Sequence, residues 1–193
     1  MTNTPKATRP DAPFRVGEHV ARRVGFDAEA IRRFATLSGD MNPLHHDAAA
    51  AASGPFGTLI ASGPHVAALM MGLDATFLSE RHEALGLGFE FRFVKAVPAG
   101  AALTLEWVVS DVTWKASLSG HVVSVEGRAV DDQGTVYLTA TGRNLVRARR
   151  VESRAAKARA TRPRAAKPRA FKPRAVKPRA VKPRAANRGS DRA

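Results

Sequence analysis

The stretch FATLSGDMNPLHHD, residues 34–47, ends one regular pattern and begins an irregular one, and the rest of the chain can be placed around it. Upstream, Asp27 stands where a helix N-cap belongs, ahead of AEAIRRFATLSG, whose Ala30, Ile31, Phe34 and Leu37 are expected on one buried face. The helix is expected to end at Ser38-Gly39. Asn42-Pro43 then disfavours helix at Asn42, since a proline ring crowds the helical conformation of the residue before it, and a loop is predicted. That loop carries a carboxylate, Asp40, and an imidazole, His45, five residues apart. Pro43 stiffens it and Asn42 can bond nearby backbone, so both reactive groups are expected to be held in place, as acid–base chemistry requires.

Working outward, Glu18 to Val24 reads as a short strand before the helix. After the loop comes an Ala-rich turn of helix, then SGPFGT as loop, and Gly63-Pro64 opens the run HVAALMMGLDATFL, residues 65–78, apolar nearly all round. Such a helix is expected to be buried, and Pro64 suits its first turn because the missing N–H has no intrahelical partner there. From Leu87 the period changes to two: in GFEFRFVKAV, Phe89, Phe91 and Phe93 alternate with Glu90 and Arg92. Pro98-Ala99-Gly100 is a turn. LTLEWVVSDV, SLSGHVVSVEGRAV and TVYLTATGRNLV follow as strands and suggest an antiparallel meander. One buried helix followed by long antiparallel strands predicts an α+β domain whose sheet wraps a helix.

A chain of 193 residues, 44% of them hydrophobic, accommodates one ordinary core. Its net charge of +14 is unevenly spread. Residues 147–193 carry +16 and residues 1–146 carry −2, so the body is not itself a polyanion-binding surface. From Arg162 the sequence RPRAA KPRAF KPRAV KPRAV KPRAA repeats every five residues, and proline in each unit together with like charges predicts an extended, disordered tail. The division expected is a flexible leader over 1–13, a folded domain over 14–146 and the basic tail over 147–193. No cysteine is present, which removes disulfides and thiolate chemistry. Neither a signal-peptide pattern nor an apolar run of about 18 residues occurs, so a soluble, cytoplasmic protein is expected.

FATLSGDMNPLHHD, then ASGPHVAALMMG, then FEFRFVKAVPAG, in this order and spacing, resemble the MaoC-like or R-specific enoyl-CoA hydratase family, whose signature is close to S-G-D-x-N-P-apolar-H. The resemblance spans about Phe14 to Val146. It implies a hotdog fold, an antiparallel sheet around the helix beginning at Gly63, paired in a homodimer with sites at the interface. It also implies Asp40 and His45 as the catalytic pair, with Asn42 supporting the loop or orienting the water. The Gly63 N–H, at the positive helix end, would meet the oxyanion of the thioester. The implied reaction is reversible syn addition of water to a trans-2-enoyl-CoA, giving the (R)-3-hydroxyacyl-CoA, with no cofactor beyond the acyl-CoA substrate. Which of the pair performs which proton transfer stays open. Leu69, Met71, Leu73 and Phe77 are the expected lining of an acyl tunnel. This chain departs from the family in having Ser62-Gly63 where His-Gly is usual, and Met71 where some members place serine.

Taken alone, Asp40 reads as a helix-end aspartate capping backbone and His45 as a structural histidine; their company with Asn42 and Pro43 turns both toward catalysis. His45-His46-Asp47 is not expected to bind metal, because adjacent side chains diverge. His65, His82 and His121 read as structural or exposed, Met70 and Met71 as core or tunnel lining, and Trp107 and Trp114 as strand packing. Two further readings of the body remain, an acyl-CoA-binding protein without turnover and a hotdog thioesterase. The tail resembles those of histone-like proteins, which makes DNA, RNA, polyphosphate or the surface of a storage granule its expected partner.

Overall fold

A computed structural model describes residues 11–149; the first ten residues and the basic repeats lie outside the described residues. In chain order the elements are β1 (His19–Phe26), α1 (Ala28–Ser38), α2 (Pro43–His46), α3 (Ala48–Ala52), β2 (Ile60–Ala61), α4 (Gly63–Ser79), β3 (His82–Phe93), β4 (Val97–Pro98), β5 (Ala101–Lys115), β6 (Gly120–Val130) and β7 (Val136–Ala148). A single 3-10 turn, Ala116–Leu118, joins β5 to β6.

Five long strands form one antiparallel sheet in the order β1-β5-β6-β7-β3, and β2 pairs with β4 in a separate two-stranded ribbon. The meander expected from sequence holds for β5, β6 and β7. The strand preceding it does not sit beside β5: β3 pairs with β7, with Phe89 opposite Gly142 and Phe93 opposite Leu138, while β1 takes the place next to β5. The seven residues between β3 and β5 make this crossing possible by contributing β4, whose neighbour Ala99 donates to Leu59 O at 2.8 Å. The strand also begins at His82, five residues earlier than the alternation at Leu87 suggests.

Helix α4 lies against this sheet. Its Val66, Met70, Leu73 and Leu78 join Leu103, Leu105, Trp107, Val123, Val125 and Leu138 in one core. Burying side chains of this size provides roughly 1.5–3 kcal/mol each, which dominates the stability of the layer. Trp107 is fully buried, and its indole Nε1–H donates to Met70 O at 2.8 Å, tying the sheet to the middle of the helix. A sheet wrapped about one long helix is the hotdog arrangement, and the fold expectation stands. None of the described helices is long and apolar enough to cross a membrane.

Two expectations about helix faces need correction. Leu37 is 85% exposed, and α1 buries Ile31 and Ala35 instead, because residue 37 is turned about 120° from residue 31 on a helix of 3.6 residues per turn. Helix α4 is apolar on every side but buried on only one; Ala68, Met71 and Ala75 are exposed in the single chain. At the domain ends, Phe14 is buried, and β7 continues through Ala148, two residues past the boundary placed at Val146. There Arg147 donates to Leu118 O at 3.1 and 2.7 Å.

Candidate active site

The loop after α1 is built by local rules. Gly39 adopts φ 75°, a left-handed conformation natural to glycine. Its N–H bonds Thr36 O at 3.2 Å and the Asp40 N–H reaches back to Ala35 O at 2.9 Å, a Schellman closure of α1. The chain therefore turns sharply at a fixed place, and Asp40 is the first residue out of the turn. Its Oδ1 accepts from the Asn42 N–H at 3.2 Å, and Asn42 Oδ1 in turn accepts from the Leu44 N–H at 3.1 Å. Asn42 is thus the N-cap of α2, with Pro43 at its first position. The loop predicted here contains one turn of helix, and His45 sits in that turn.

His45 is buried, with Nδ1 2.8 Å from Ile60 O, the β2 carbonyl. A carbonyl only accepts, so Nδ1 carries the proton and Nε2 presents its lone pair in the neutral ring. Nε2 is 3.4 Å from Asp40 Oδ2. The Asp40 side chain is 35% exposed, so the two acceptors face one another at the boundary between interior and solvent. A water there can donate one hydrogen to each, leaving an oxygen lone pair directed away from both.

His46 supports this arrangement in a way the sequence did not signal. Its Nε2–H donates to Asp40 O at 2.7 Å, and Arg32 Nε donates to His46 O at 3.0 Å, so the loop is pinned to α1. Asp47, considered with His45 and His46 as a metal ligand set, instead caps α3 by accepting from Ala49 and Ala50 N–H at 2.9 and 3.1 Å.

A cavity of about 450 Å³ opens beside His45, walled by Phe56, Ile60, Val66, Phe93, Val97 and Leu138, with Lys95 and Tyr137 as polar members. Gly63, the first residue of the 17-residue α4, also lines it, so the N-terminal, positive end of a helix borders the same space as the imidazole. Asp40 is not among the lining residues. None of Leu69, Met71, Leu73 and Phe77, the expected tunnel, lines this cavity either. They lie further along α4: Leu73 is in the core, Phe77 packs on Phe14 at 5.2 Å between ring centroids, and Met71 is on the exposed face. Phe56, Phe93 and Tyr137 were missed because each comes from a different element, brought together only by long-range pairing. Two larger concavities, of about 640 and 940 Å³, lie over the sheet surface at Glu106 and at the Trp114 end of the sheet, and neither contains the acid–base pair.

Ser62 is the N-cap of α4, buried, and its hydroxyl has no hydrogen-bond partner among the described residues. Pro64 explains this: it lacks the N–H that a capping hydroxyl would use, and the His65 N–H is taken by Ser62 O at 3.0 Å. His65 stacks on Phe34 at 4.4 Å, and burial pushes its pKa below the ordinary value. Of the other histidines read as structural or exposed, His82 meets the ring of Phe14 edge-on at 5.3 Å and His121 meets Trp114 at 5.0 Å.

Residues 5–131 match the model of the MaoC-like domain. Among solved structures, the unliganded R-hydratase PhaJ1 of Pseudomonas aeruginosa aligns with a TM-score of 0.63 and 27% identity, over 70% of this chain and 84% of that one. The (R)-hydratase of A. caviae involved in PHA biosynthesis aligns at 0.61 and 27%, over 68% and 96%. The truncated HadBC complex, a 3R-hydroxyacyl-ACP dehydratase of Mycobacterium tuberculosis, shares the fold at 0.57 and 20%, over 68% and 96%. No curated protein sequence matches the chain significantly. With the sheet-wrapped helix, the loop joining Asp40 to His45 and the match over most of the domain in hand, the chain belongs to the MaoC-like hotdog dehydratase family, which includes R-hydratases.

Proposed function

We propose that the protein is an enoyl-CoA hydratase, adding water reversibly to a trans-2-enoyl-CoA to give the (R)-3-hydroxyacyl-CoA. The observation that carries this reading is the pairing of Asp40 Oδ2 with Nε2 of a His45 fixed by Ile60, at the edge of an apolar cavity shared with the N-terminus of α4. In the forward direction a water held by the pair loses a proton to it as its oxygen bonds C3. The C2–C3 electron pair moves toward the thioester carbonyl, whose developing charge the Gly63 N–H meets, and a proton delivered to C2 on the same face completes the addition. Asn42 acts by holding the loop. The chemistry calls on no metal or cofactor, the acyl-CoA being substrate.

The protein is proposed to act as a homodimer. Strand β3 is an edge of the sheet and carries Leu85 and Leu87 exposed, a surface suited to pairing with β3 of a second copy. The repeats beyond the described residues, with the net charge of +16 counted from Arg147, are proposed to tether the cytoplasmic enzyme to a polyanion: DNA, RNA, polyphosphate or a storage-granule surface. Similarity to a hydratase involved in PHA biosynthesis supports a role supplying hydroxyacyl-CoA for such a polymer.

The test is loss of the conjugated enoyl-thioester absorbance when the protein meets crotonyl-CoA. Asp40→Asn and His45→Ala are expected to lower the rate by about a hundredfold or more while leaving the oligomeric state unchanged. Retained activity in both variants refutes the site; release of free CoA points to thioester hydrolysis, and binding without turnover to a carrier.

A further inference from the structure

Phe93 is the third aromatic residue of an alternating series, and it differs from the other two. Phe89 and Phe91 pack against the core, whereas Phe93, the last residue of β3, is 55% exposed. Its ring is turned tip-first onto Gly63. A Cβ placed on that glycine would stand 2.9 Å from Cε1 and from Cζ and 3.1 Å from Cε2. The absence of a side chain at residue 63 is therefore already used by the ring, in the same cavity that His45 lines.

The backbone beneath the ring is fixed. Phe93 is in register with Leu138, and the N–H groups of Val94 and Lys95 both reach Tyr137 O, at 2.9 and 3.2 Å. Movement of the ring is thus a side-chain rotation. More than half of the residue is in contact with solvent, which leaves room for the rotation, and the rotation gives up the contacts the rest of the ring makes against Gly63 and the cavity wall.

We infer that Phe93 gates the Gly63 donor and selects thioesters unbranched at C2. The inference rests on the acyl-CoA reading of this site. Gly63 and the Phe93 ring line the same cavity as His45, so a thioester drawn to the Gly63 N–H enters space that the ring tip partly fills, and the ring swings aside to admit it. The substituents on C2 then lie nearest the displaced ring. A methylene-bearing chain passes with one hydrogen toward it, whereas a methyl branch needs the volume the ring occupies.

The full-length protein is tested by equilibrium binding of two non-reacting thioesters, butyryl-CoA and isobutyryl-CoA, to the wild type, Phe93→Leu and Phe93→Ala. The wild type is expected to favour butyryl-CoA by about tenfold or more, the scale of discrimination that one methyl group gives in a tight pocket. Phe93→Ala is expected to erase most of that preference, with Phe93→Leu between. An unchanged ratio in Phe93→Ala overturns the inference. A second reading uses no ligand: Gly63→Ala destabilises the wild type but is tolerated in the Phe93→Ala background, and equal destabilisation in both would show that the ring does not rest there. Crotonyl-CoA hydration, run alongside, separates the two ideas. Selective binding without hydration rejects the hydratase and keeps the gate, hydration with an unaltered binding ratio rejects the gate alone, and binding of neither thioester rejects both.

Discussion

Replacing Asp74 with asparagine tests the most unusual charge in the core. Asp74 lies on the inner face of α4, 1% exposed, where Asn144 Nδ2 on β7 donates a long hydrogen bond to its Oδ1 at 3.4 Å. Burial pushes its pKa from 3.8 up to about 6, with the Asn144 bond pulling weakly the other way. That gap corresponds to about 3 kcal/mol of preference for the protonated form in the folded state. Because the folded chain holds this proton more tightly than the unfolded one, the contribution is complete below the unfolded value of 3.8 and is lost as pH rises through about 6. Asparagine keeps an oxygen for Asn144 to bond and carries no charge to desolvate. The variant is therefore expected to match the wild type near about pH 4 and to exceed it by up to about 3 kcal/mol near about pH 8. For a domain of this size that is a rise of about 10 °C in Tm. Thermal and urea unfolding of both proteins at one concentration across this pH range measures the difference directly. A difference that stays flat with pH, or an Asp74→Asn protein less stable at the alkaline end, refutes the reasoning.

Two other substitutions have definite signs. Gly127→Ala would place a Cβ 2.4 Å from Trp107 Cε3, and the indole cannot retreat without breaking its bond to Met70 O, so a loss of about 1–3 kcal/mol is expected in denaturant unfolding; wild-type stability would mean the core yields more readily than its packing suggests. Ser62→Ala should run against the usual cost of losing an N-cap, because this hydroxyl is buried and bonds nothing in the described chain: a gain of about 1 kcal/mol is expected, and a loss would reveal a partner for it.

The parts of the fold that the sequence makes legible are those governed by neighbours in the chain. Asp27 caps α1 by accepting from the Ala30 N–H at 2.7 Å, Gly39 ends the helix, and Asn42 caps the next turn, each a rule spanning six residues or fewer. What was illegible depended on distant partners. On α1 the packing of the helix on the domain covers the side of Ile31 and Ala35, and Leu37, about 120° around the helix from Ile31, falls outside it. The tunnel expected with the resemblance runs along α4, whereas the cavity beside His45 is walled by Phe56, Phe93 and Tyr137, which converge only once β3 has crossed to β7 and β4 has paired with β2. Asp74 is illegible for the same reason: a lone acid in an apolar run reads as a surface residue until Asn144 is placed opposite it.

The pinning of the Asp40–His45 loop has a consequence for how the site responds to mutation and to folding. Gly39, Asn42, His46 and Arg32 fix it through bonds spanning at most 14 residues, and only the Ile60 carbonyl comes from further along, 15 residues from His45. The sheet, by contrast, joins His19 to Val108 and His82 to Ala148. The acid–base geometry is thus a short-range cassette mounted on a long-range scaffold. Loop closure over so few residues is fast and entropically cheap, so the cassette should tolerate considerable drift in the strands that carry it as long as Arg32 and the Ile60 carbonyl keep their places, and the walls around the substrate can change without disturbing the pair that handles protons.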